Sequence, residues 1–224
     1  MKLDVFGNKV VASLGPFPVT DTMITSAAVS LALMLVAALL GRAVVHEPEG
    51  RLAAVGRLAL RSLDQWVTET AGRPAPMVTV FAGSLFAFIS ACAVAGQLPA
   101  VRAPTASLST TSALALLVFL AVPWAGIHAR GWKAYVREYF RPYFFLFPLH
   151  LISEFSRTLA LALRLFGNMM SGHLIVALLV ALAGLLVPAP LMALDLLIGL
   201  LQAYIFTILA CVYIGAAIRV GEGT

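Results

Sequence analysis

Ser156-Arg157-Thr158-Leu159-Ala160-Leu161-Ala162-Leu163-Arg164-Leu165-Phe166-Gly167-Asn168-Met169 sets an arginine in the middle of an apolar run. The run extends over Leu159–Leu186, and Arg164 is the one full charge between Thr158 and Leu194. At bilayer depth an arginine costs roughly 2.5–3.5 kcal/mol on insertion scales, so it marks a functional site by default. Asn168 and His173 follow on the same run, and an isolated acid, Asp195, lies in the next one. A permanent cation, an amide, an imidazole and a carboxylate in apolar surroundings point to a path for ions or protons.

The rest of the chain reads as membrane protein. Hydrophobic residues make up 61% and charged residues 11% of 224 positions, far from the balance of a soluble domain. Runs near twenty apolar residues mark helices that span a bilayer. They fall at Met23–Gly41, Met77–Gln97, Ala113–Ile127 with its flanks, Glu154–Leu186 and Leu191–Ile218. Pro188-Ala189-Pro190, with Gly184 nearby, signals a turn between the last two. The expected fold class is an all-α integral membrane protein of about five membrane-embedded helices plus amphipathic interfacial helices. The last two helices form a long tilted antiparallel hairpin. No repeat or linker interrupts the chain, so residues 1–224 are expected to form a single membrane domain.

Two basic loops separate the spans. Arg42–Arg73 carries five arginines, and its part Leu52–Val67 has helical apolar spacing, which predicts an interfacial amphipathic helix. His128–Arg141 interleaves Arg130, Lys133, Arg137 and Arg141 with Trp132, Tyr135 and Tyr139, an interfacial belt. The net charge of +5 therefore fits a cytoplasmic face against anionic lipid, with no nucleic-acid partner. Placing both loops and the C-terminus inside puts ten basic residues there and leaves Lys2, Lys9 and Arg102 outside. The expected topology is N-terminus outside and C-terminus cytoplasmic, multi-pass in the cell inner membrane. Cys92 and Cys211 lie in apolar runs, with no disulfide or metal pattern, and no cofactor is expected.

At 100° per residue, Arg164 and Asn168 share a helix face, whereas Arg164 and His173 point to opposite sides. Asp195 and Gln202, seven apart, share a face of the final helix. In an antiparallel hairpin, facing residues have numbers with a nearly constant sum. His173 and Asp195 sum to 368, Arg164 and Gln202 to 366, so four isolated polar groups meet in register. Structural roles compete with transport: an ion pair of Arg164 with Asp195, interhelical bonds for Asn168 and Gln202, a plain hydrogen bond for His173 and Asp195. Glu154 and Arg157, three apart, read as a helix-surface pair.

The run Ser156–Met169 resembles the signature of the a subunit of rotary, F-type ATP synthases, and so does Leu201-Gln202-Ala203-Tyr204-Ile205-Phe206. Pro104-Thr105-Ala106-Ser107-Leu108-Ser109-Thr110-Thr111 and Phe17-Pro18-Val19-Thr20-Asp21-Thr22 are similar to two further motifs of that family. The resemblance implies a bacterial subunit beside a ring of c subunits, with b subunits of the peripheral stalk, the rest of the complex and membrane lipid as partners. By resemblance Arg164 is the essential arginine that faces the ring carboxylate. Asn168, His173, Asp195 and Gln202 match positions along the outer half-channel, and Ser107 and Glu154 join them as ion-pathway candidates. Bacterial members often carry an acid at position 173 and a histidine at 195, so the pair here is exchanged. Ser107 and Ser109 stand where an aspartate and an asparagine are common, which hints at a variant, sodium-coupled form.

The expected function is translocation of an ion, a proton or sodium, through the membrane sector, with Arg164 between two half-channels. No Gly-rich phosphate loop is present, so the chain by itself is not an enzyme. A stand-alone channel or secondary transporter is the alternative, and the lack of an inverted repeat counts against it. A structural scaffold is a second one.

Overall fold

The computed structural model describes residues 10–14, 17–46, 50–71, 76–98, 103–132, 147–183 and 189–219. Five of its helices are long and apolar enough to cross a membrane: α1 (Asp21–His46), α3 (Pro76–Ala95), α4 (Leu108–Arg130), α5 (Phe147–Ala183) and α6 (Ala189–Arg219). Helices are the expected outcome, because a lone segment in hydrocarbon must satisfy its own backbone N–H and C=O groups. A sixth, α2 (Arg51–Ala71), is the amphipathic helix predicted between the first two spans. Ahead of α1, strands β1 (Val10–Leu14) and β2 (Phe17–Thr20) pair antiparallel, with Leu14 opposite Phe17. This hairpin was not expected, because apolar span length carries no signal for a five-residue strand. The turn was expected at Pro188-Ala189-Pro190, but α6 has already begun at Ala189. Pro190 fits there, since the first helical positions need no N–H donor. The belt His128–Arg141 lies outside the described residues beyond Trp132.

Helices α3, α4, α5 and α6 share one core. Leu85, Ile89 and Ala93 of α3, Ala115 and Val118 of α4, Leu161, Leu165 and Met169 of α5, and Ala203, Phe206 and Ala210 of α6 are buried together. Lipid tails are as apolar as leucine, so such helices associate through close packing, which small residues permit. Gly199 shows how close: a Cβ there would stand 2.8 Å from Ala93 Cβ and 3.2 Å from Met169 Cε.

A second cluster joins Val67 of α2 to Val78 and Ala82 of α3 and Cys211 and Ile214 of α6. Thr79 Oγ1 donates to Asp64 Oδ1 at 2.9 Å, and Trp66 stacks on Tyr204 at 4.7 Å while meeting Phe86 edge-on at 6.0 Å. These contacts lock α2 to α3 and α6. Helix α1 packs on α2, α3 and the 3-10 turn Pro104–Ala106, yet Thr22 is its one buried residue among those described. The 3-10 turn leads into α4, which ends at Gly131. There φ is +84°, favoured by glycine, and its N–H bonds Ile127 O at 2.7 Å.

Candidate functional site

Three contacts set the register of α5 against α6. Asn168 Nδ2 donates to Gln202 Oε1 at 2.8 Å. Asp195 lies on Gly172, where an added Cβ would overlap Oδ1 and stand 2.7 Å from Cγ. The Arg157 guanidinium sits 4.5 Å from the centre of the Tyr213 ring. The residue numbers of these pairs sum to 370, 367 and 370, so the hairpin keeps one register along its length.

The sums lie close to the expected 368 and 366, but Gln202 finds its partner one helical turn from the expected one. Gln202 is matched to Asn168 rather than to Arg164. The exposed Asn168 can serve the buried Gln202 with a neutral amide, whereas a guanidinium brought to Gln202 would have to be desolvated. Gln202 is only 2% exposed, and its Nε2 has no hydrogen-bond partner among the described residues.

Arg164 lies one turn before Asn168 on α5, where it is exposed and has no hydrogen-bond or ion-pair partner among the described residues. The competing structural reading, an ion pair with Asp195, is not formed. Asp195 is level with Gly172, eight residues and so about 12 Å along the helix from Arg164. Around Arg164 the exposed face of α5 presents Ser156, Ala160, Gly167 and Ser171. A Cβ at Gly167 would meet nothing within 4 Å.

Asp195 draws its partner from a third helix. Gln97 Nε2, in the turn that closes α3, donates to Asp195 Oδ2 at 3.3 Å. Gln97–Asp195 and Ala93–Gly199 both sum to 292, which fixes the antiparallel register of α3 on α6 and brings Ser90 level with Gln202. Ser90 Oγ is a second buried polar atom without a partner among the described residues, and Thr105 Oγ1 is a third. Sequence reasoning missed Gln97 and Ser90. The signal for Gln97 was present, since it is the first long polar side chain after the apolar run of α3.

The remaining candidates occupy the surroundings. His173 follows Gly172 on α5, and its side chain lies outside the described residues. Ser107 is 3% exposed at the N-cap of α4, beside the 3-10 turn that packs on α5. Glu154 is half-buried, one turn of α5 before Thr158, whose Oγ1 bonds the Glu154 carbonyl at 3.0 Å. Among the described residues no three His, Cys, Asp or Glu side chains group as metal ligands. Chemically, the site offers a fixed cation on an open face and, one to two turns away, a seam of amides, a hydroxyl and a carboxylate between three helices.

Comparison with known proteins adds the family. Residues 22–215 match the model of the ATP synthase A chain. The chain is 41% identical over 205 residues to ATP synthase subunit a 2 of Bradyrhizobium sp., covering 92% of each protein. It is 42% identical over 206 residues to subunit a 2 of Pelobacter propionicus, covering 92% of this chain and 90% of that one. With ATP synthase subunit a of Legionella pneumophila it shares 36% over 211 residues, 94% of this chain and 91% of that one.

Proposed function

We propose that this chain, which belongs to the ATP synthase A chain family, passes ions between two half-channels and a ring of c subunits, with Arg164 between the channels. It is a multi-pass subunit of the bacterial plasma membrane, part of the ATP synthase complex, and it translocates ions in the membrane sector. Nucleotide chemistry belongs to other subunits. A stand-alone channel or transporter is not favoured.

The observation that carries the mechanism is Arg164 itself, an exposed guanidinium without a partner among the described residues, on a helix face of small residues. A cation at membrane depth needs a counter-charge. The face around Gly167 has room for a helix of a neighbouring ring, and a carboxylate on that helix supplies the charge. Guanidinium does not deprotonate when desolvated, so it holds the facing carboxylate ionised at every turn of the ring. An ion arriving by the outer half-channel neutralises a ring carboxylate, and only the neutral site enters lipid at tolerable cost. Nearly a full turn later the ion leaves by the second half-channel. Arg164 blocks the direct leak between them.

The outer half-channel runs along the seam of Asp195, His173, Asn168 and Gln202. What supports this is the run of polar groups across α3, α5 and α6, with the Gln202 Nε2 left to donate to a passing water. Ser107 flanks the same wall from the start of α4. Glu154 sits at the other end of α5, where it serves the exit path. Orientation follows the basic loops, with the N-terminus outside and the C-terminus cytoplasmic. The long exposed apolar face of α1, with Leu31, Met34 and Leu35 turned outward, suits lipid or the b subunits of the peripheral stalk.

Inverted membrane vesicles energised with ATP test the core of this reading. Arg164→Ala should assemble into the complex yet abolish pumping. Pumping near the wild-type rate in that variant would refute the mechanism.

A further inference from the structure

We propose that Gln97 is a positioning residue for ion transfer at Asp195, holding Oδ2 so that Oδ1 is the oxygen that exchanges the ion. The inference rests on the ion-path reading of Asp195 above. It deepens that reading by adding a residue from a different helix.

The contact is anchored from both sides. Gln97 is not on a free loop: its own N–H bonds Val94 O at 3.1 Å, and the flanking Gly96 and Leu98 N–H groups bond Cys92 O and Ala95 O at 3.0 and 3.2 Å. One helical turn back, Ala93 packs on α6 at Gly199, where an added Cβ would stand 2.8 Å from Ala93 Cβ. The α3–α6 spacing beside the Gln97–Asp195 bond is therefore rigid. On the other side, α5 offers Gly172, where the absence of a Cβ is what lets Oδ1 lie against the helix. The carboxylate is thus gripped at one oxygen and laid against Gly172, the residue before His173, at the other.

An amide suits the grip. It has no titrating proton in the working range, so it holds its place through each change of charge at Asp195. It donates to one oxygen and leaves the second free to take up and release the ion. A side chain of fixed reach on a rigid helix end also limits the rotation of Asp195, which is how a relay group keeps its transfer distance short. Packing alone does not ask for an amide at this position. A leucine has nearly the same volume and would not strand a polar group near lipid.

The test uses the intact complex in inverted vesicles, with ATP-driven pumping and retention of the subunit in the complex as paired readouts. Gln97→Leu should keep assembly and lower pumping by about tenfold, the loss expected when a hydrogen bond to a charged group is removed. In an Asp195→Ala background the same change should cost nothing further, because the group it positions is gone. A length exchange gives the rescue: Gln97→Asn shortens one partner by a methylene and Asp195→Glu lengthens the other. Each single variant should be slow, and the double should exceed both. The proposal is overturned if Gln97→Leu pumps within about twofold of wild type. An equal loss in the Asp195→Ala background, or a double exchange no better than the worse single, overturns it as well. Arg164→Ala measured alongside separates the two readings. If it pumps, the ion-path reading fails; if it is dead while the Gln97 variants pump normally, only the positioning role fails.

Discussion

Gly172→Ala should impair pumping while leaving the subunit nearly as stable as before. The added Cβ would overlap Asp195 Oδ1 and lie 2.7 Å from Cγ and 3.3 Å from Oδ2. The three nearest atoms all belong to the end of one short side chain, which can rotate aside without moving a helix. Overpacking in a rigid core costs typically 1–3 kcal/mol, and rotation should keep this case at the low end. Against that, alanine in place of glycine inside a helix gains about 0.8–1 kcal/mol. The two nearly cancel, so unfolding of the purified complex should shift by no more than about 1 kcal/mol. The displaced carboxylate, however, loses its bond to Gln97. Pumping should fall by roughly an order of magnitude. Gly199→Ala is the control with the opposite signature. Its Cβ would meet Ala93 Cβ at 2.8 Å, an atom fixed to the backbone, so α3 and α6 must part and stability must drop. Measured by thermal melting of the solubilised complex and by ATP-driven pumping in vesicles, the two variants should separate cleanly. If Gly172→Ala is as unstable as Gly199→Ala, or pumps like wild type, the carboxylate is not wedged on that glycine.

Arg164→Lys should pump poorly or not at all, since a desolvated ammonium can lose its proton where guanidinium does not; a vesicle assay showing wild-type rates would contradict this. Gly167→Ala should not destabilise the isolated subunit, because its Cβ meets nothing among the described residues, yet it should weaken pumping if a ring helix docks there; melting and flux read the two effects separately. The exchange His173→Asp with Asp195→His should recover more ion flux than either single change, and a double variant no better than the worse single would favour a structural role for the pair. Tyr213→Leu should cost about 0.5–1 kcal/mol through the lost contact with Arg157, detectable as a small drop in melting temperature without loss of the ion path.

The spans were legible because bilayer thickness dictates a length of apolar chain, and no other signal is needed. The hairpin register was legible for a similar reason: buried polar groups must find partners, so isolated polar residues on two facing helices predict their own alignment. Asn168–Gln202 and Gly172–Asp195 lie within a few residues of the expected levels. The choice among partners on one level was not legible. Arg164, Asn168 and His173 crowd within nine positions, and only the helix face decides which of them meets Gln202. Gln97 was absorbed into an uncharged span, since a span search counts charges and ignores amides. The β-hairpin before α1 depends on local pairing that composition does not reveal.

Trp66 carries a mechanical consequence. A subunit that stands still beside a turning neighbour is pushed sideways at every step, and the push acts along the membrane plane. Helix α2 wedges its indole between Phe86 and Tyr204, stacked on one and edge-on to the other, with Thr79 tied to Asp64 alongside. Close-packed ring faces do not compress, so they transmit shear from α6 through α2 to α3 rather than letting α6 slide. The amphipathic helix thus acts as a brace, and softening it should let torque leak into deformation of the stationary wall before any residue of the ion path is touched.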